Sequence, residues 1–286
     1  MIKPALKDRA FLADVLAAAA MEPEHLHLWW LGQSGFLIQW QNTHLLFDPY
    51  LSDSLTKKYA ATDKPHVRMT ERVIAPDRLD FVEVVTSSHN HTDHLDADTL
   101  NPLIEANRDL KVVVPAANQA FAADRLKVDS QRLDTINPGE KPLNLHGFRL
   151  HAIPAAHNEL EKDDQGRHKF VGIVAEIGPW TIYHSGDTLI YPGIDDWLRK
   201  QDVDIAIVPI NGNVPERRVA GNMDGKEAAQ LAKDLGAKMA IPHHFEMFEF
   251  NTVSPELFIN SCKELDQPHK LMRNGERWST SALAAT

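Results

Sequence analysis

A single cysteine, Cys262, stands among the 286 residues, so no disulfide can close within the chain, which fits a reducing cytoplasm. Positive charge is in deficit: 30 Lys and Arg against 40 Asp and Glu leave a formal net charge of −10. No global basic field draws the chain to nucleic acid or to an anionic membrane, although a local basic pocket stays open. No apolar run is long enough to cross a bilayer. FLADVLAAAA (11–20) has the look of a secretion signal, but Asp14 interrupts it and Lys7, Asp8 and Arg9 precede it in mixed sign. It reads as an amphipathic helix packed on the body, and the expectation is a cytoplasmic protein with no membrane partner. Linkers and low-complexity tracts are missing too. The chain therefore reads as one domain, 1–286, with residues 1–24 as an N-terminal helical extension.

The segments that are present alternate between β-rich and β/α. HLHLWWLGQSGFLIQW (25–40) and THLLFDPY (43–50) predict two or three antiparallel strands. Residues 51–76, polar and holding Pro65 and Pro76, read as a loop or a lid. FVEVVTSS (81–88) is a strand, ADTLNPLIEANR a helix, KVVVPAA a strand and NQAFAADRLK a helix. Strands flank the Pro-Gly turn of TINPGEKPLNLHGFRLHAIPAAH, and KFVGIVAEIGPWTIYHSGD reads as a hairpin turning at Gly178-Pro179. VDIAIVPI and KMAIPHHF are buried strands around the helix GKEAAQLAKDLG, and SPELFINSCKEL is a last helix capped by Ser254 with Pro255 at its first position. This order predicts two sheets packed face to face with helices outside.

SSHNHTDHLD (87–96) packs three histidines and two aspartates into ten positions. A lone histidine, or an isolated H-x-H, is read as structural. The whole H-x-H-x-D-H run is far more specific for metal. His89 and His91 can point to one side at a strand end. Asp93 and His94, in the turn beyond, can address a second metal or the other side of the first. Further ligand types recur where strands end: His157 in AIPAAH, Asp187 in IYHSGD, and His243 and His244 in IPHHF. Ligands gather at the carboxyl ends of strands in layered α/β folds.

SSHNHTDHLD, PAAH, HSGD and IPHHFEMF together resemble the metallo-β-lactamase-fold hydrolases, over nearly the whole chain after residue 25. A closer likeness is to the L-ascorbate-6-phosphate lactonase group, carried by WWLGQSGFLI (29–38), IYHSGDTLIYPGID (182–195) and DVDIAIVPINGN with GAKMAIPHHFEMFEFN. The resemblance implies an α/β fold, the four-layer αβ/βα sandwich of two mixed β-sheets with helices outside and a metal cleft along one edge. It implies two divalent metal ions. His89, His91 and His157 would hold the first, Asp93, His94 and His244 the second, with Asp187 bridging. His157 matches the wider superfamily rather than the lactonase pattern. Zinc is the default for such a set, with Mn or Fe as alternatives because of the aspartates. Flavodiiron relatives carry Glu at the position of His91, so the histidine there favours hydrolysis over redox chemistry.

The expected function is a metal-dependent hydrolase that uses a metal-bound hydroxide to open a sugar-derived lactone such as L-ascorbate 6-phosphate, with Asp93 steering the nucleophile or relaying a proton. The alternative is a phosphodiesterase on a phospholipid or nucleotide ester. A non-catalytic metal-binding protein is disfavoured because every ligand position is filled. His184 and His243 are expected to support the ligands from behind. Arg217 and Arg218 are candidate anchors for a small, phosphorylated substrate, with Lys57, Lys58 and Arg68 as rivals. The other histidines, His66 among them, read as surface or structural, and Cys262 as a packed thiol. Assembly into a homo-oligomer is implied by resemblance alone.

Overall fold

The structure, a computed structural model, describes residues 1–283. Apolar residues crowd both faces of the first strand, β1 (Leu26–Gly32). Leu28 and Trp30 enter one hydrophobic cluster, Trp29 and Leu31 another. A strand buried on both faces must lie between two layers. Beside it run β2 (Gly35–Trp40) and β3 (Thr43–Phe47), antiparallel as expected, followed by β4 (Val84–Thr86), β5 (Lys111–Pro115) and β6 (Leu133–Ile136). The second sheet holds β7 (Leu143–Leu145), β8 (Phe148–Pro154), β9 (Val171–Ile177), β10 (Trp180–His184), β11 (Ile205–Pro209) and β12 (Met239–His243). A last strand, β13 (Arg277–Ser279), returns to the first sheet beside β1. The orders are β13-β1-β2-β3-β4-β5-β6 and β12-β11-β10-β9-β8-β7, each mixed parallel and antiparallel.

The helices are α1 (Arg9–Met21), α2 (Ser54–Tyr59), α3 (Ala97–Ala106), α4 (Gln119–Leu126), α5 (Ile194–Leu198), α6 (Gly225–Asp234) and α7 (Glu256–Glu264). Phe11 and Val15 of α1, Leu100 and Leu103 of α3 and Leu126 of α4 cover one face of the first sheet through Trp29, Leu37, Leu46 and Val112. The other cluster joins Leu28, Trp30, Ile38 and Phe47 of that sheet to Leu150, Ile173, Ile182 and Ile207 of the second, and to Ala228, Leu231 and Phe258 of α6 and α7. Asp224 caps α6 in a capping box with Glu227. Gly225 follows because α7 lies against it: a Cβ there would sit 2.5 Å from the Phe258 amide nitrogen. Cys262 is buried in α7, and burial pushes its thiol up to about 12, so it is a packing group. No helix among the described residues is long and apolar enough to cross a membrane.

Pro138-Gly139 lies between β6 and β7 as expected, and those two strands enter different sheets. The hairpin expected at Gly178-Pro179 is present, with Ile177 opposite Trp180 across β9 and β10. A further hairpin turn, His146-Gly147, joins β7 and β8, both residues with positive φ as a tight two-residue turn demands. Other local readings change. Residues 51–76 carry α2 rather than loop alone. The last helix starts at Glu256, with Pro255 ahead of it and Ser254 Oγ accepting the Glu256 amide at 3.3 Å. The short elements α5 and β13 have too few residues to show a period.

Candidate metal centre

β3, β4, β8, β10 and β12 all point their carboxyl ends to one edge of the sandwich. The chain leaves β4 at Thr86 and enters α3 at Ala97, and the intervening turn presents His89, His91, Asp93 and His94. His157 follows β8, Asp187 follows β10, and His244 follows β12. Gly186 is needed before Asp187. Its φ is +58°, and a Cβ would lie 2.6 Å from that of Ser88, so glycine lets the β10 loop press against the histidine turn.

Three groups of side chains each bring their ligand atoms within 4.8 Å of one another: His89, His91 and His157; His89, His94 and Asp187; Asp93, His94 and His244. Asp187 lies between them. Its Oδ1 is 3.4 Å from His94 Nε2, and its Oδ2 is 3.3 Å from His244 Nε2 and 3.6 Å from His157 Nε2. Asp93 Oδ2 is 3.7 Å from His94 Nε2 and 3.6 Å from His244 Nε2. His89 Nε2, His94 Nε2 and Asp187 Oδ1 are buried and have no hydrogen-bond partner among the described residues. Buried polar atoms without partners are costly. Nitrogen and carboxylate donors converging in this way fit a divalent cation of the zinc, manganese or iron type.

The site is strongly polarised. Burial disfavours charge on His94 and His244, but Asp187 and Asp93 outweigh it and raise both rings above the ordinary histidine range. Burial also works against the Asp187 carboxylate, yet His244 and His94 hold it well below the usual carboxylate range. His89 and His157 are pushed down by burial, which keeps them neutral and ready to donate a lone pair.

Behind the ligands lies a layer of orienting bonds. His94 Nδ1 donates to Asp48 Oδ2 at 2.7 Å, and His157 Nδ1 donates to the Gly221 carbonyl at 2.8 Å, so both rings turn Nε2 to the centre. Ser88 Oγ bonds Asp48 and lies 3.0 Å from His89 Nδ1. His184 donates through Nε2 to the Ser34 carbonyl at 2.8 Å and stacks on Phe47 and His243. His243 meets Ser34 Oγ at 3.1 Å. Neither His184 nor His243 belongs to a group of converging ligand atoms.

Two residues here had no assigned role in the sequence. Asp48 ends the run THLLFD, and its strand-end carboxylate is the same signal that marks Asp187. Gln33, in the β1–β2 turn, donates to Asp93 Oδ2 at 2.9 Å, and Trp30 fixes that turn by donating to the Gln33 carbonyl. Gln33, Asp48 and His244 all adopt left-handed backbone conformations, with φ of 49°, 37° and 65°. Such strain in non-glycine residues clusters at functional sites.

A cavity of about 340 Å³ opens onto His91, Asp93, His157, Asp187 and His244. Lys58, Lys64, Arg125 and Arg218 also line it. Lys58 and Lys64 have no carboxylate partner among the described residues: Lys58 reaches Thr92 Oγ1 at 3.5 Å, and Lys64 the Arg218 carbonyl. Arg218 pairs with Asp63. Of the other proposed anchors, Arg217 does not line the cavity. Its guanidinium is tied to the carbonyls of Asn211 at 2.6 Å and Thr252 at 3.3 Å. Arg68 is likewise held by the Ser52 and Thr70 carbonyls, and Lys57 faces a separate surface groove.

Residues 27–244 match the β-lactamase superfamily domain. The chain is 28% identical over 257 residues to the UPF0173 metal-dependent hydrolase of Opitutus terrae, spanning 88% of this chain and 98% of that protein. Among solved structures, a possible metal-dependent hydrolase from Veillonella parvula superposes with a TM-score of 0.70 at 17% identity, covering 89% of this chain and 98% of that one. The isothiocyanate hydrolase from Delia radicum gut bacteria superposes with a TM-score of 0.69 at 18% identity, covering 88% and 98%. At these identities the solved structures speak to the fold, two mixed sheets with helices outside.

Proposed function

The chain belongs to the β-lactamase superfamily, and from that premise we propose that it is a metal-dependent hydrolase acting on a small anionic ester, a phosphorylated sugar-derived lactone of the L-ascorbate 6-phosphate kind. One observation carries the substrate class: Lys58 and Lys64, without carboxylate partners, share a cavity with the converging His and Asp ligand atoms, in a chain of net charge −10. Cations left unpaired in a focused cleft favour an anionic ligand. A cavity of about 340 Å³ suits a sugar-sized molecule and, with the acidic surface, speaks for a small molecule over nucleic acid.

His89, His91 and His157 would hold one metal ion, and Asp93, His94 and His244 a second, with Asp187 between them. When bound, such ions supply Lewis acidity, polarising a carbonyl and lowering the pKa of water towards neutrality. Lys58 and Lys64 anchor the phosphate and set the ring carbonyl over the centre. Gln33 donates to Asp93 Oδ2 and holds that carboxylate in place. Without metal, burial opposes ionisation of Asp93 but His94 and His244 lower its pKa; with metal bound, Asp93 would be kept a carboxylate by the cations in their place, the form that can act as a base. Water attacks the lactone carbonyl and the ring C–O bond breaks. Asp93 takes the proton from water and passes it to the leaving alkoxide, giving the open hydroxy acid.

Hydrolysis of L-ascorbate 6-phosphate by the metal-loaded protein, measured beside L-ascorbate's unphosphorylated lactone analogues and an aryl phosphodiester, tests the reading. Preference for the phosphorylated lactone is expected. Turnover of the diester alone would replace the lactonase with a phosphodiesterase.

A further inference from the structure

We infer that His66 is a specificity-determining residue whose Nε2 accepts a hydrogen bond from a hydroxyl group of the bound substrate. His66 lines the cavity together with His91, Asp93, Lys58 and Lys64. Its Nδ1 lies 2.9 Å from the Lys64 carbonyl oxygen. A carbonyl only accepts, so Nδ1 carries the proton and the tautomer is fixed. In the neutral ring Nε2 then keeps its lone pair. No protein group among the described residues donates to it.

The ring is held rigidly. Tyr59 of α2 stacks on it at 4.3 Å, and Phe250 and Phe248 meet it edge-on at 4.5 and 5.1 Å. Two separate segments of chain therefore contribute to one imidazole, far more ordering than a solvated surface histidine receives. Burial among these rings lowers its pKa, against the opposing pull of the Lys64 carbonyl bond and the Asp93 charge, so the acceptor form prevails at neutral pH. What a fixed, unpaired acceptor beside cationic side chains can recognise is a donor carried by an anionic ligand. Resting on the reading of a sugar-derived phosphate, that donor is a hydroxyl. A neutral hydrogen bond of this kind is worth about tenfold in affinity.

The test uses the full-length, metal-loaded protein and two non-reacting probes that share a phosphate monoester but differ in hydroxyls: glycerol 3-phosphate and propyl phosphate. Calorimetry should show the wild type binding glycerol 3-phosphate about tenfold more tightly. His66→Phe, which preserves the aromatic packing, should bind both probes alike. His66→Gln, whose amide oxygen still accepts, should keep part of the preference. In 15N-edited spectra of the wild type, the Nε2 resonance should move with glycerol 3-phosphate and not with propyl phosphate. Equal affinity of the wild type for the two probes, an equal loss of both in His66→Phe, or failure of both to bind would overturn the inference. Discrimination between the probes without lactone hydrolysis would uphold it and remove the lactone reading. Lactone hydrolysis without discrimination would do the reverse.

Discussion

Replacing Asp48 with Asn tests how the metal centre is oriented. Asp48 is fully buried and offers only acceptors. Oδ2 takes the His94 Nδ1–H at 2.7 Å and the Ser88 hydroxyl, while Oδ1 takes the Ser88 amide at 3.0 Å and the Thr86 hydroxyl at 3.3 Å. An asparagine of the same shape must turn its NH2 towards one of these sets of donors. Facing the Ser88 amide, it leaves two donors opposed. Facing His94, it favours the tautomer with the proton on Nε2, the atom aimed at the metal. Removing such an orienting partner costs about 10- to 100-fold in metal affinity, or about 1.4 to 2.8 kcal/mol. Competition with a chromophoric chelator for zinc reads that loss directly, and thermal unfolding of the metal-free variant separates it from a folding defect. At saturating metal, turnover should return in large part. Unchanged zinc affinity in a folded Asp48→Asn protein, with the His94 Nδ1 proton still in place by NMR, would refute the reasoning.

Asp187→Ala should lower metal content and turnover together, because both carboxylate oxygens face ligand nitrogens; full metal and full activity would contradict the bridging position. The double variant Lys58→Ala with Lys64→Ala should raise KM for L-ascorbate 6-phosphate about 10- to 100-fold, with metal content and kcat largely kept, as loss of charge-assisted contacts predicts; an unchanged KM would dismiss these cations as anchors. In the metal-free protein burial disfavours the charged forms of His94 and His244, but Asp187 and Asp93 raise both pKa values. A ligand imidazole must be neutral, so metal loading expels those protons. Because both pKa values are raised, affinity should keep rising with pH through the ordinary histidine value and above it, with net proton release in calorimetry across buffers; a flat profile would show that these rings are not displaced. Gly225→Ala should destabilise by about 1–3 kcal/mol through the clash with the Phe258 backbone, leaving turnover per folded molecule intact; an unshifted melting temperature would show that α6 and α7 can part.

The histidine run and its supporting residues can be found in the sequence because each follows an apolar strand, and strand ends meet at one edge. The sandwich follows from the same runs, since β1 and β11 are apolar on both faces. Asp48 carries the same strand-end mark but no motif, and its bond to His94 exists only because β3 pairs in parallel with β4, Phe47 opposite Thr86. Gln33 reaches Asp93 only through a left-handed turn that spacing does not reveal. Arg217 and Arg218 are neighbours in sequence, yet one clamps backbone carbonyls and the other lines the cavity. His66 lies in an irregular stretch, where its aromatic partners come from α2 and from residues beyond β12. Pro138-Gly139 marks the bend between β6 and β7 but not their separation into two sheets: turn residues show where the chain bends and carry no record of which sheet receives it next.

Elemental analysis of the purified protein, taken before and after reconstitution and paired with hydrolysis of L-ascorbate 6-phosphate, bears most directly on the proposed centre. Two metal ions per chain with lactone turnover is the expected result. One ion would remove either the His157 or the His244 position from the ligand set, and no retained metal even after reconstitution would contradict the centre altogether.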